Sequence, residues 1–292
     1  MYVFATVLAL VAFAGNSVLC RMALQHQAID ANSFTIIRLV SGAIALFAII
    51  KFQQLKTNKP IENRVSVNIE WLSAFMLFVY AACFSFAYIK MDAGLGALVL
   101  FACVQITMIA TSIFAKQPLS IAKWLGVILA FSGLVYLVYV QNGLENVNFN
   151  LASFVLMAIA GIAWAAYTLL GKGAANPLFM TYRNFTKSVA FTIPMLLLFL
   201  IFEANITYSG LLLAIASGAL TSAVGYAIWY YALNGLNAIQ AGVLQLSVPV
   251  ITSVGGLIWL SEAITLPLVV SQLIILGGIA LVLVDPKFKK RT

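Results

Sequence analysis

Phe13-Ala14-Gly15-Asn16-Ser17-Val18-Leu19-Cys20-Arg21 and Trp164-Ala165-Ala166-Tyr167-Thr168-Leu169-Leu170-Gly171-Lys172 carry one pattern twice. An aromatic residue leads, a hydrogen-bonding residue follows three positions later, and a cation closes the stretch. Residues three apart share a helix face. Phe13 and Asn16 therefore look out on one side of their helix, and Trp164 and Tyr167 do the same in the second copy. The doubled pattern predicts two versions of one unit that face a common cavity from opposite halves.

The composition says what surrounds those helices. Of 292 residues, 63% are hydrophobic and 8% charged, and the mean hydropathy is +1.06. A soluble domain carries about 25% charged residues, so this chain cannot clothe a globular surface with polar groups and needs lipid around it. The net charge of +8 comes from cations beside apolar runs, as membrane topology demands, and not from a nucleic-acid footprint. Cys20, Cys83 and Cys103 lie inside apolar runs without metal-ligand spacing and read as small packing residues. No metal or cofactor is expected. The first apolar run lacks a basic leader and continues directly into Asn16 and Arg21, so it reads as a retained span.

A helix needs about 20 apolar residues to cross the hydrocarbon core. Ten stretches meet that need, near 2–24, 32–51, 71–90, 93–115, 120–140, 151–172, 179–202, 208–233, 237–260 and 266–284. The expected fold is an all-α membrane protein of ten transmembrane helices. Alternate connections collect Lys51, Lys56, Lys59, Arg64, Lys116, Lys123, Lys172, Arg183 and the tail Lys287, Lys289, Lys290 and Arg291 on one side. Arg21 and Lys90 fall on the other. That bias places both termini in the cytoplasm of a cell with this chain in its inner membrane.

The halves repeat. A shift of about 145 positions carries Arg38 onto Arg183, Ala87 onto Ala232, Gln117 onto Glu262 and Gly133 onto Gly278. Five spans per copy is an odd number, so the second copy enters from the opposite side. The expected organisation is a five-helix repeat in residues 1–145 and an inverted one in 146–292.

A polar side chain is costly in hydrocarbon and normally faces protein or water. Phe13, Asn16, Ser17 and Cys20 form one stripe; Phe101, Gln105, Met108 and Ser112 form another; Trp164, Tyr167, Thr168 and Gly171 a third. Ser222, Tyr226, Trp229 and Leu233 align in the eighth span, beside Tyr230, and Gln245 stands in the ninth near Pro249, a potential kink. The predicted binding set is Phe13, Asn16, Phe101, Gln105, Trp164, Tyr167, Tyr226, Trp229 and Gln245. Aromatic walls with a few neutral hydrogen-bonding groups suit a small amphipathic molecule better than a bare ion. The competing explanation for each residue is interhelical bonding, worth about 0.6–2 kcal/mol.

Arg38 and Arg183 are repeat-related and read as anion-attracting or gating groups, with snorkelling to headgroups as the plainer explanation for Arg183. Lys187 would cost about 2.5–3.5 kcal/mol at mid-bilayer and is expected off-centre. No acid falls clearly at mid-span, and the lone His26 sits in a connection, so no proton relay is evident. The fifth and tenth spans carry Gly126, Ala130, Gly133, Gly277 and Gly278 and little else, which places them at the periphery or at a dimer contact. The state is thus a monomer or a homodimer. A membrane-embedded enzyme would need a buried catalytic set, and the sequence offers none.

These residues together resemble the drug/metabolite transporter superfamily, in particular its EamA-type ten-span carriers. The resemblance rests on the two repeats, Phe13-x-x-Asn16 where the family often has Trp-x-x-Asn, Trp164 in the second copy, Arg38 and Arg183, Ala232-Leu233, Pro249, and Leu260-Ser261-Glu262. The sequence departs from the pattern at Gln117-Pro118, at Phe13 and at Val104, which stands where a proline would match Pro249. The resemblance implies a central cavity lined by the first, third, fourth, sixth, eighth and ninth spans. It implies a secondary transporter that works by alternating access and exports a small metabolite, an amino acid among them. A sugar-phosphate or nucleotide-sugar exchanger of the same superfamily is the alternative.

Overall fold

The computed structural model describes residues 2–57, 67–114, 121–143, 150–171, 176–197, 199, 203–233, 244–245 and 247–284. Lys59, Arg64, Lys116, Gln117-Pro118, Lys172 and the tail cations lie outside them, as do the side chains of Ser112, Tyr230 and Leu233. The described chain is helical, and its extended pairing is a single antiparallel bridge between Ile29 and Ile206.

The helices are α1 (Tyr2–Gln25), α2 (Ala31–Thr57), α3 (Val67–Ala87), α4 (Ala93–Phe114), α5 (Ile121–Gly143), α6 (Leu151–Gly171), α7 (Pro177–Ala190) and α8 (Ile193–Leu197). Next comes α9 (Tyr208–Ile215), which continues without a break through a π-helical segment (Ala216–Val224) into α10 (Gly225–Leu233). The last two are α11 (Ser247–Leu260) and α12 (Leu266–Val284). Six helical stretches are long and apolar enough to cross a membrane, and three shorter apolar ones accompany them. Large apolar side chains such as Phe4, Val11, Phe131, Ile258 and Leu273 are exposed on the outside. A band of that kind is a lipid-facing surface, and the chain is a multi-pass membrane protein.

One expectation needs correction. The seventh span is not one rod over 179–202. Helix α7 stops at Ala190, and Phe191 and Thr192 form a turn before α8. Pro194 is the cause: it has no N–H for the Ala190 carbonyl, and its ring collides with that carbonyl. The ninth span, expected over 237–260, lies in part outside the described residues; helical residues 244–245 precede α11, and Pro249 stands within α11.

Helices from the first half pack mainly on helices from the second. Helix α3 packs on α6 and α7, α4 on α6 and α11, α1 on α10 and α11, and α2 on the π segment and α7. Helices α5 and α12 pack chiefly on each other. Gly278 lets them meet, since a Cβ there would stand 2.7 Å from both Ala130 N and Gly126 O. This pair packs little against the other helices. The core encloses the aromatic side chains of α1, α3, α4, α6 and α10.

Candidate functional site

Asn16 is the centre of the site. It is buried to 3% exposure on α1, and both the oxygen and the nitrogen of its side-chain amide are hydrogen-bonded. Its Oδ1 accepts from Ser217 Oγ at 2.7 Å, Thr221 Oγ1 at 3.3 Å and Ser222 Oγ at 3.4 Å. Its Nδ2 donates to the Tyr80 hydroxyl at 3.2 Å. The π segment is what gathers three hydroxyls onto one amide oxygen. The wider turn places residues 217, 221 and 222 on one face, and such segments recur at functional sites. Small residues make the approach feasible: a Cβ on Gly218 would overlap the Arg38 carbonyl and Ser41 Oγ on α2.

Arg38 closes the network into a ring. Its Nε donates to Ser222 Oγ at 3.2 Å and its Nη2 to the Tyr80 hydroxyl at 3.1 Å. The guanidinium lies 5.1 Å from the centre of the Tyr80 ring and 4.9 Å from that of Phe84. Arg38 is only 1% exposed. It does not snorkel. Its repeat mate Arg183 does not simply snorkel either: it donates to Glu70 Oε2 at 2.8 Å, and Lys187 binds the same oxygen. That cluster sits at the first turn of α3.

Above the polar ring lies an aromatic box. Phe13 meets Trp164, Tyr226 and Trp229 edge-on, with ring centres 6.2, 5.9 and 5.6 Å apart. Trp164 leans on Tyr226 at 4.8 Å, on Tyr80 at 4.9 Å and on Tyr167 at 5.4 Å. Phe13, Asn16, Ser17, Tyr80, Phe84, Leu100, Phe101, Trp164 and Tyr226 line one internal cavity. Its volume is about 10 Å³, room for roughly one water. Among the described residues, the space enclosed by these rings and the polar ring is thus nearly filled.

All nine predicted binding residues are buried. Phe13, Asn16, Phe101, Trp164 and Tyr226 line the cavity, and Trp229 and Tyr167 stand behind them against Phe13 and Trp164. Gln105 lies one turn beyond Phe101 on α4, with its Nε2 buried and unbonded, and Gln245 is buried without lining the cavity. Tyr80 and Phe84 also line the cavity, although the polar and aromatic stripes of the sequence do not single them out.

A second ionic cluster ties the far ends. Arg21, at the end of α1, donates to Glu262 Oε1 and Asp92 Oδ1, each at 3.2 Å, and to the carbonyls of Tyr88 and Ile89. Glu262 also accepts the Ala93 N–H that opens α4, at 2.8 Å. Burial, and next the charge of Asp92, push the Glu262 carboxyl above the usual glutamate range; the Ala93 N–H and Arg21 pull the other way without cancelling the rise. The Glu70 and Arg21 clusters lie at opposite ends of α3, about 27 Å apart by helix rise.

Residues 1–139 and 151–284 each match the EamA-like transporter family. The chain belongs to that family, within the drug/metabolite transporter superfamily. An uncharacterized protein of Pseudomonas aeruginosa is 43% identical over 278 residues, covering 95% of this chain and 93% of that one. The uncharacterized transporter YoaV of Bacillus subtilis is 22% identical over 253 residues, covering 84% and 85%. An uncharacterized transporter of Archaeoglobus fulgidus is 27% identical over 248 residues, covering 82% and 84%. A solved crystal structure matches over 100% of both chains with a TM-score of 0.66 at 15% identity, a likeness of fold alone. In this EamA-family chain the two matched segments meet at the cavity: Phe13, Tyr80 and Phe101 come from the first, Trp164 and Tyr226 from the second.

Proposed function

We propose that this EamA-family protein is a secondary carrier of the inner membrane that moves a small amphipathic metabolite by alternating access. The observation that carries the proposal is the closed aromatic box over the Asn16 ring, walled by both family segments and buried away from lipid. A structural core has no need to spend a buried amide, three hydroxyls and an arginine on the seam between two halves. A substrate site does.

The halves 1–145 and 146–292 are proposed to be inverted copies. Reciprocal packing supports this. Helix α3 packs on α6 as α10 packs on α1, α4 on α6 as α11 on α1, and the π segment on α2 as α3 on α7. With α2 paired to α7, α4 to α11 and α5 to α12, the contacts are those of a two-fold axis. Ionic clusters at both ends of α3, each joining the halves, suit a carrier caught with both gates shut. The cation bias of the connections supports cytoplasmic termini, and outward transport follows the family resemblance. The sugar-phosphate alternative loses ground because Arg183 and Lys187 are both engaged by Glu70.

The test is counterflow in proteoliposomes with the purified protein and a panel of amino acids and related metabolites. Trp164→Ala should cut exchange of the carried compound at least tenfold while the protein still elutes as one sharp peak. Unchanged exchange in that variant would overturn the site.

A further inference from the structure

We infer that Arg38 is the counter-ion for a single carboxylate on the carried molecule, and that the carried class is a monocarboxylate with a flat apolar body. The inference rests on the carrier reading and names its substrate class. Arg38 stands seven residues into α2, about 10 Å below the helix start, and is among the largest fully buried side chains. A buried charge normally has an ionic partner. Arg38 has none among the described residues. Asp30 caps α2 through Ser33, Glu70 holds Arg183 and Lys187, and Asp92 and Glu262 hold Arg21. Glu203 is exposed. The guanidinium has only two neutral hydroxyls and two aromatic rings, and its Nη1 has no hydrogen-bond partner.

That unspent charge stands beside the cavity. Tyr80 lines the void and accepts from Arg38 Nη2. A carboxylate that displaces the Tyr80 hydroxyl meets Nη2 and the idle Nη1 together, the forked geometry guanidinium favours. Charge count selects the anion. One guanidinium matches one negative charge, whereas a phosphate monoester carries nearly two at neutral pH. An ammonium group is not provided for: Asn16 Oδ1 already accepts three hydroxyls, and no carboxylate lines the cavity. The Phe13, Trp164 and Tyr226 rings remain for the apolar body.

Four probes share one ring and differ in charge: 3-phenylpropionate, 3-phenylpropanamide, L-phenylalanine and phenyl phosphate. Binding to the detergent-purified protein is read by quenching of tryptophan fluorescence, to which Trp164 contributes, and by the shift in melting temperature. The expected result is that 3-phenylpropionate binds at least tenfold more tightly than the other three, and that Arg38→Met abolishes the preference over the amide. Should Arg38→Met fail to elute as a single peak, Arg38→Lys decides: it loses the fork, and carboxylate affinity should fall at least threefold with amide affinity unchanged. Equal binding of carboxylate and amide by the wild type, a preference retained in Arg38→Met, unchanged carboxylate affinity in Arg38→Lys, or no binding of any probe overturns the inference. Transport of the amide as fast as the carboxylate would sink the carboxylate assignment and leave the carrier reading intact; loss of all exchange would sink both.

Discussion

Asn16 shows how much one side chain can bind together in lipid. It holds α1 to the π segment through three hydroxyls and to α3 through Tyr80. Replacing it with leucine takes away the acceptor that buried Ser217 Oγ donates to, at about 1–3 kcal/mol for an unsatisfied buried group, and loosens the other three. Asn16→Leu should therefore lower the melting temperature in detergent and abolish exchange; a variant with unchanged stability would show that the network is slack. Gly218→Leu should be worse, because its Cβ meets the α2 backbone at the Arg38 carbonyl and not a yielding side-chain tip. Expression of a monodisperse, active Gly218→Leu protein would contradict the close approach. Asn16, Phe13, Trp164 and Tyr167 were legible because polar and aromatic residues at helical spacing stand out against apolar neighbours. Tyr80 was missed, although the repeat shift points to it. Subtracting 145 from 226 gives 81, one residue past Tyr80, so the partner of Tyr226 was within reach. The different fates of Arg38 and Arg183 were not legible. They depend on Glu70, which the fold brings to Arg183 and not to Arg38.

At the scale of elements, most helices could be read from apolar runs, and the errors have local causes. Pro194 stands inside a stretch long enough to read as one span, yet it ends α7 at the residue four before it. The π segment could not be foreseen. Its run of small residues tolerates an extra residue per turn, but the contacts that reward it, to Asn16 and Arg38, come from α1 and α2, far away in sequence. The connection between α11 and α12 carries a further prediction. The folded chain holds the Glu262 proton more tightly than the unfolded chain, since burial and Asp92 raise its pKa. The group's contribution to stability is thus complete below the ordinary glutamate value, about 4.3, and is lost as pH rises through the raised value. Melting temperatures taken from pH 4 to pH 6 should fall with rising pH more steeply for the wild type than for Glu262→Gln. A wild type that gains stability relative to the variant over that interval would reverse the sign.

For the whole molecule, the seam between halves is the main packing surface and holds the proposed site. Each end of α3 is pinned across that seam by an ionic cluster, and the cavity that the described residues enclose between them holds about one water. A carrier must open one end at a time, so a residue lining the cavity must be reachable from each side of the membrane in turn. Leu100 lines it without joining the hydrogen-bond ring. The decisive measurement is labelling of Leu100→Cys, with Cys20, Cys83 and Cys103 replaced by alanine, by a membrane-impermeant thiol reagent applied to either face of proteoliposomes. The account predicts labelling from both faces, slowed by the carried compound. Labelling from neither face, or from one face only whatever the conditions, would contradict it.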